Sequence, residues 1–310
     1  MENLALLLIS GGAAFLLSYA LSPATVKISR LIGAIDTPDG GRKINTHPVP
    51  RLGGLGFFSA FFLVSTLFLG TKNPTVSALL SGGALIVAGG VADDAGNLPP
   101  RVKLLFQIIA GTAALLIIDT PSSISFFGLF SAELPLPIGF AFSLFRIVFT
   151  CNAVNFSDGL DGLASGLSVA ALTFLSVFGF LGGKTIPAII AFTLASAVLG
   201  FVPYNKYRAR IFMGDCGSQF LGFAIAILSL GTSPDGSFPT ETAFFLAIPV
   251  LDTWFSVIRR LMAGKSPFKA DKGHLHHFLL SKGISHPRAV KILVTLSALI
   301  GGVALFALNF

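Results

Sequence analysis

Charged residues are scarce in this 310-residue chain: they make up 11% of it, whereas hydrophobic residues make up 53%. The mean hydropathy is +0.83. A water-soluble domain of this length needs more polar residues than that to cover its surface, so a soluble domain is excluded. The composition predicts an integral membrane protein.

Cysteine is scarce as well, with only Cys151 and Cys216 in the chain. Both are predicted at the cytoplasmic ends of membrane spans, where thiols stay reduced, so we expect no disulfide bond. The sequence also lacks a repeat of fixed period, a low-complexity tract and a polar segment long enough to fold alone. A single domain over residues 1–310 is therefore predicted.

Long apolar runs are abundant, and a membrane-spanning helix needs roughly 17–25 such residues. About ten runs meet or approach that length, and they lie near 3–24, 52–70, 76–92, 102–118, 137–154, 164–182, 185–203, 217–231, 240–262 and 289–309. The predicted fold class is an all-α polytopic membrane protein. Residues 120–136 alternate around a glycine turn, which predicts a small β-hairpin on the outer side.

The positions of lysine and arginine predict the orientation, because cytoplasmic loops retain basic residues. With both termini outside, 18 of the 21 basic residues face the cytoplasm; Lys72 and Lys184 face outward and Arg146 lies in a span. All five histidines fall on the cytoplasmic side too. We therefore predict a multi-pass protein of the inner (plasma) membrane with a cytoplasmic active site. The net charge of +7 then reflects this topology, and nucleic acid is not an expected partner.

The first cytoplasmic loop combines basic residues with glycines. Lys43, His47 and Arg51 precede Gly53 and Gly54 at the start of the second span. Glycine lets backbone amides approach an anion, and the cations add charge, so the loop is predicted to bind substrate phosphate. The alternative is a basic loop that only reflects orientation.

Carboxylates stand at the ends of several spans. Asp93 and Asp94 end the third span and Lys103 opens the fourth, while Asp215 begins the eighth among glycines. Mg²⁺ prefers one or two carboxylates together with substrate oxygens, so Asp94 and Asp215 are candidate metal ligands. The alternative is that these residues cap helix ends.

The loop after the fifth span is unusually polar. It contains Asn152, Asn155, Asp158 and Asp161, and the two aspartates share one face if this segment is helical. A cap explains one such residue but not four, so a functional role is favoured. Asn205 precedes Asp215 in the next cytoplasmic loop and is a further substrate-binding candidate.

The ninth span and the loop after it carry the remaining candidates. Asp252 lies inside the span, where an ionisable side chain indicates function, and Pro249 predicts a bend that would admit a lipid. Beyond the span come Arg259, then three close histidines. These predict a phosphate pocket, with a metal site or a purely structural cluster as alternatives.

In this order, from Asp36 to His277, the motifs resemble the polyprenyl-phosphate N-acetylhexosamine-1-phosphate transferases, which belong to glycosyltransferase family 4. The resemblance implies ten transmembrane helices and transfer of a sugar 1-phosphate from a UDP-sugar to a lipid phosphate, with release of UMP. It implies Mg²⁺ as cofactor, with Mn²⁺ as a substitute, and a homodimer as a family-level expectation.

The resemblance also assigns roles to the candidate residues. Asp215 would bind the metal, and Asp93 and Asp94 would hold phosphates or act as base. The predicted catalytic residues are Asp93, Asp94, Asp158, Asp161, His276 and His277. The predicted substrate-binding residues are Lys43, Arg51, Lys103, Asn152, Asn155, Asn205, Arg259 and His274.

The motif His-Leu-His-His at residues 274–277 resembles the branch that uses UDP-N-acetylglucosamine. The muramoyl-pentapeptide branch usually has three consecutive histidines. Alternatives are another UDP-N-acetylhexosamine or UDP-N-acetylmuramoyl-pentapeptide as donor. CDP-alcohol phosphotransferases are disfavoured, because the Ala-Arg of their aspartate motif is missing after Asp158. A membrane transporter is the non-enzyme alternative, although it would place its acids nearer mid-membrane.

Overall fold

The computed structural model describes residues 2–38, 47–126, 130–233, 236–264 and 273–307. Most of these residues are helical, and the predicted all-α fold class is confirmed. The α-helices are α1 (Glu2–Leu31), α2 (Gly53–Val64), α3 (Pro74–Gly96), α4 (Pro100–Leu115), α5 (Leu136–Phe156), α6 (Leu163–Leu181), α7 (Thr185–Asn205), α8 (Gly214–Gly231), α9 (Ala247–Met262), α10 (Leu275–Ser281) and α11 (His286–Ala307).

Eight helical segments of the described chain are long and apolar enough to cross a membrane. They correspond to eight of the ten predicted spans. The spans predicted near 52–70 and 102–118 correspond to shorter helices: α2 extended by a π-helical turn (Ser65–Leu69), and α4. The predicted count of ten is therefore not confirmed.

The predicted hairpin is present. Strands β3 (Ser123–Phe126) and β4 (Phe130–Glu133) pair antiparallel, and a third strand that the sequence did not indicate, β5 (Phe238–Pro239), pairs parallel with β3. At the opposite ends of the helices, β1 (Ile35–Asp36) and β2 (Val49–Pro50) form a short antiparallel pair.

Helix α8 lies at the centre of the bundle. Of its apolar window, 89% is buried, against 22% for α1 and 28% for α11. Glycines allow the close approach: a Cβ on Gly90 of α3 would lie 2.3 Å from Cys216 Cα, and one on Gly54 of α2 would lie 2.2 Å from Gly217 Cα. The first turn of α8, which carries Asp215, is thereby fixed between two other helices.

The predicted ninth span is not one uniform helix. A 3₁₀ segment (Thr240–Leu246) is followed by α9, and Leu246 at the junction has φ −113° and ψ 36°. The backbone thus changes helix type three residues before Pro249. One side of α9 is exposed, including Trp254 and Phe255. The helix is therefore not packed on all sides, as the predicted lipid groove requires.

Candidate active site

A cavity of about 720 Å³ lies where α5, α7 and α9 end and where α6, α8 and α11 begin. Nine of the predicted site residues line it: Arg51, Asn155, Asp158, Asp161, Asn205, Asp215, His274, His276 and His277. Other predicted residues in the described chain stand outside its lining: Asp93, Asp94, Lys103, Asn152 and Arg259. Lys43 lies outside the described residues.

Three acids, here called the carboxylate cluster, meet behind this cavity. Asp93, Asp94 and Asp215 each offer an oxygen, and these oxygens lie within 4.8 Å of one another. Lys103 Nζ bridges two of them, at 2.9 Å from Asp93 Oδ2 and 2.8 Å from Asp215 Oδ2. An ammonium group already occupies a position between two carboxylates, so the donor set and its charge suit a cation.

Asp94 has a different environment from the other two acids. Its carboxylate accepts hydrogen bonds from the backbone amides of Asp215 at 3.0 Å and Cys216 at 3.1 Å, and Arg51 Nη2 lies 3.3 Å away. These amides belong to the first turn of α8, whose N–H groups lack partners within the helix. Asp94 therefore anchors α8, and only Asp215 of the cluster lines the cavity. The geometry favours Asp215 over Asp94 as a ligand for a cation.

A chain of amide side chains orients Asp215. Asn155 Nδ2 donates to Oδ1 at 3.1 Å, and Gln219 Nε2 donates to Oδ2 at 2.8 Å. Gln219 Oε1 accepts from Gln107 Nε2 at 3.1 Å, and Gln107 Oε1 accepts from Asn152 Nδ2 at 2.9 Å. Asn152, which is predicted to bind substrate, contacts Gln107 and lies outside the cavity lining. Gln219 was missed, although its spacing of four residues from Asp215 was a usable signal.

The segment between α5 and α6 is a turn rather than a helix, so the condition under which Asp158 and Asp161 would share a helical face is not met. Asp161 Oδ2 accepts from Ala209 N at 3.0 Å and so holds the loop before α8. Asp158 lines the cavity. Burial raises the pKa of Asp158 to about 8, and the charges of Asp215 and Asp94 add to this effect. Asp158 is therefore mostly protonated at neutral pH and can donate a hydrogen bond.

Two glycines of the predicted phosphate-binding loop, Gly53 and Gly54, do not offer their amides to an anion. Gly53 N donates to Phe212 O at 3.0 Å and Gly54 N donates to Met213 O at 2.9 Å. These glycines permit close packing of α2 on α8, and their amides are already used. Arg51, the residue beside them, does line the cavity.

Asn205 lines the cavity, but both polar atoms of its side chain already form hydrogen bonds within the protein. Its Oδ1 accepts from Ser165 Oγ at 2.7 Å and its Nδ2 donates to Ile211 O at 3.2 Å. These bonds hold the end of α7 to α6 and to the loop before α8. They give Asn205 a structural function that the prediction of substrate binding did not include.

The three histidines, here called the histidine wall, form another side of the cavity. The rings of His274 and His276 are nearly parallel with centroids 5.7 Å apart, and the His276 and His277 centroids are 4.3 Å apart. A Cβ on Gly159 would lie 2.3 Å from His276 Nε2, so the wall packs tightly on the turn after α5. Burial, together with His277 and His274, lowers the pKa of His276 to about 4. His276 is therefore neutral at pH 7.

Two adjacent arginines of α9 have different environments. Arg259, the predicted substrate-binding residue, donates from Nη2 to Ser256 Oγ at 2.9 Å. Arg260 lines the cavity instead, and its guanidinium lies 5.7 Å from the Phe156 ring centroid. Consecutive residues of a helix point about 100° apart, and the sequence did not indicate which arginine faces inward.

The sequence is similar to a known protein family and to several curated relatives. The sequence model of the family described as "Glycosyl transferase family 4" matches residues 76–233. A Bacillus subtilis relative named "Probable undecaprenyl-phosphate N-acetylglucosaminyl 1-phosphate transferase" is 36% identical, over 88% of this chain and 77% of the relative.

Two further relatives span similar lengths. The Mycobacterium tuberculosis "Decaprenyl-phosphate N-acetylglucosaminephosphotransferase" is 34% identical over 91% of this chain and 77% of the relative. The "Undecaprenyl-phosphate alpha-N-acetylglucosaminyl 1-phosphate transferase" of Escherichia coli K12 is 27% identical over 91% of this chain and 78% of the relative.

Proposed function

Because this chain belongs to glycosyl transferase family 4, we propose that it transfers N-acetylglucosamine 1-phosphate from UDP-N-acetylglucosamine to a polyprenyl phosphate such as undecaprenyl phosphate. UMP is the second product. The observation that carries the proposal is a carboxylate cluster against a cavity whose other side is a histidine wall. The transferred group and the polyprenyl phosphate acceptor are those that the relatives are named for, and the UDP donor is part of the proposal.

The reaction needs positioning and charge neutralisation more than covalent chemistry. A phosphate monoester has a second pKa near 6, so the acceptor is largely dianionic at neutral pH and needs no strong base. Arg51 and Arg260 line the cavity and can face phosphate oxygens. Asp158, being mostly protonated, can donate to an oxygen rather than repel it.

Mg²⁺ is the proposed cofactor, with Mn²⁺ as a substitute. The residues fit it: Asp215 lines the cavity, and Asp93 lies beside it across the Lys103 ammonium. When bound, the ion would neutralise charge on the diphosphate. The task of the protein is to hold the Asp215 carboxylate, through Asn155 and Gln219, in one orientation.

The membrane location of the site is part of the proposal. The candidate spans give a multi-pass membrane protein, and the strongly basic loops support the proposed position of the cavity on the cytoplasmic face of the inner membrane. A cytoplasmic UDP-sugar and a bilayer-borne acceptor meet there, in the first membrane step of cell-envelope glycan synthesis. The predicted homodimer stays a prediction.

The test is Mg²⁺-dependent release of UMP by the purified protein, with polyprenyl phosphate and a panel of UDP-sugars. Release with UDP-N-acetylglucosamine alone, abolished in Asp215→Ala and kept in Asp119→Asn on the outer side, would support reaction and donor. Release with another UDP-N-acetylhexosamine or UDP-N-acetylmuramoyl-pentapeptide would change the donor. No UMP from any donor in a folded preparation would reject the proposal and favour a transporter.

A further inference from the structure

Asp252 is a buried carboxylate inside the α9 span, and the sequence alone left it without a partner. Its Oδ2 lies 2.8 Å from His274 Nδ1, and its Oδ1 accepts from Leu275 N at 2.9 Å. Both Asp252 and His274 are 6% exposed. An ionisable group inside a span is costly and is retained where a specific interaction requires it.

We propose that Asp252 is a positioning residue that holds His274 so that Nε2 is the nitrogen presented to a phosphate oxygen in the cavity. The proposal rests on the proposed function for the identity of that phosphate. It goes beyond that function because it assigns a positioning role to the intramembrane Asp252 and distinguishes His274 from the other two histidines.

The two contacts of Nδ1 decide which nitrogen of His274 remains for a ligand. Nδ1 lies 2.8 Å from the carboxylate of Asp252 and 3.5 Å from Ser256 Oγ. An ionised carboxylate only accepts, so Nδ1 carries the hydrogen. The partner of one ring nitrogen sets the state of the other. Since His274 lines the cavity, Nε2 is the atom left for substrate.

Binding a phosphate oxygen at Nε2 requires a donor there. A histidine that donates from both nitrogens is an imidazolium, and the Asp252 carboxylate neutralises the charge that His274 then acquires. Charge-assisted hydrogen bonds are roughly twice as strong as neutral ones. His276 differs, because its burial, with a smaller effect of the neighbouring histidines, lowers its pKa to about 4 and keeps it neutral. In this proposal, His274 is the member of the histidine wall that donates to the phosphate oxygen.

The position of Asp252 relates this donor to the bilayer. On α9, Leu251, Trp254 and Phe255 are 45%, 45% and 60% exposed, as expected for side chains that face lipid. Asp252 is on the buried side of the same turn. The phosphate could belong to the lipid acceptor or to the donor diphosphate, and KM values measured separately for the two substrates distinguish these sources.

Asp252→Asn is a sharp test, because asparagine has the same shape and keeps an oxygen for Leu275 N. Its Nδ2 would donate to His274 Nδ1, which leaves a neutral ring without the charge-assisted bond. We expect KM for the contacted phosphate substrate to rise about tenfold to a hundredfold, with kcat changed less. Thr253→Val is the matched control, because it removes the adjacent buried hydroxyl and leaves His274 untouched.

A double-mutant cycle shows whether Asp252 acts through His274. We expect Asp252→Asn to raise KM no further when it is added to His274→Gln. Losses that multiply, or a fall in kcat with both KM values unchanged, would overturn the proposal. Trp254 is the only tryptophan in the chain, so unchanged emission from each variant verifies that α9 is still in place.

A second measurement keeps this proposal separate from the transferase reaction. In ¹⁵N-histidine spectra of the substrate-free protein, we expect a protonated Nδ1 on His274 in the wild type and an unprotonated Nδ1 in Asp252→Asn, with His274→Gln providing the assignment. An unprotonated Nδ1 in the wild type would reject the positioning proposal whatever the enzyme assay gives. Failure of UMP release by the wild type would instead reject the proposed function.

Discussion

The carboxylate cluster and the histidine wall use buried aspartates in opposite ways. In the cluster, the Lys103 ammonium bridges Asp93 and Asp215 while Asp94 pairs with Arg51, so three carboxylates stand against two cations. In the wall, Asp252 is paired with His274, and burial keeps the neighbouring His276 neutral at pH 7. One side of the cavity therefore suits a cation and the other suits phosphate oxygens. Phosphoryl transfer needs both at once.

The largest expected effect comes from removing the ammonium group of the cluster. Lys103→Met leaves Asp93 and Asp215 as close like charges, so we expect UMP release to fall about 100-fold or more and the Tm to drop. Added Mg²⁺ should raise the Tm of this variant more than that of the wild type, because the ion replaces the lost charge. Arg101→Met, exposed on the same helix turn, is the control. If Mg²⁺ raised the Tm of Lys103→Met no more than that of the wild type, the result would argue against a cation site.

Asp93→Asn separates a metal function from a base function within the cluster. We expect apparent Mg²⁺ affinity to fall about tenfold, because a carboxylate near the ion is lost, and the loss should persist at high pH. Mg²⁺ titrations of UMP release at several pH values measure this. A rate restored at high pH with unchanged Mg²⁺ affinity would support the base function instead.

Gly159→Ala should disturb the histidine wall and leave the carboxylate cluster intact. The new Cβ would lie 2.3 Å from His276 Nε2, so the ring must move. We expect activity to fall about tenfold, with Mn²⁺ binding, followed by electron paramagnetic resonance, unchanged. Gly96→Ala at the end of α3 has no atom within 4 Å of its Cβ and should behave as wild type. Weaker Mn²⁺ binding in Gly159→Ala would show that the two regions are not independent.

The smallest expected effects are on the pH dependence of stability, where Asp158 and His276 act in opposite directions. The pKa of Asp158 is raised to about 8 in the folded protein, so stability is lost as pH rises from about 4 through 8. The pKa of His276 is lowered to about 4, so stability is lost as pH falls from about 6.5 to 4. Thermal melts should show a smaller alkaline loss in Asp158→Asn and a smaller acid loss in His276→Gln. Parallel curves for the wild type and both variants would contradict these assignments.

Much of the fold was predictable because it depends on local properties. Apolar runs predicted the spans, and alternation around a glycine predicted the β3–β4 hairpin. The count was less accurate, since α2 and α4 are shorter than a typical span. The third strand, β5, was not predicted, because two residues pairing across more than a hundred positions leave no local pattern.

The candidate site was predictable as a set of residue types but not as a set of contacts. The acids and histidines at span ends were identified, and nine of the predicted residues do meet at one cavity. Asn152 was assigned to substrate, yet it bonds to Gln107. Gly53 and Gly54 were assigned to an anion, yet they pack α2 against α8. The same polar or small residue serves binding or packing equally well until its neighbours are known.

The sequence by itself determined that this is a multi-pass membrane protein of a transferase family, because hydrophobic length, ordered motifs and family similarity are properties of the linear chain. Only the tertiary structure decided that Asp94 anchors α8 while Asp215 lines the cavity, that Arg260 rather than Arg259 faces inward, and that Asp252 pairs with His274. These distinctions depend on distances between residues far apart in the chain. The first of them arises because glycines let α2 and α3 pack closely on α8, which brings Asp94 to the first turn of α8.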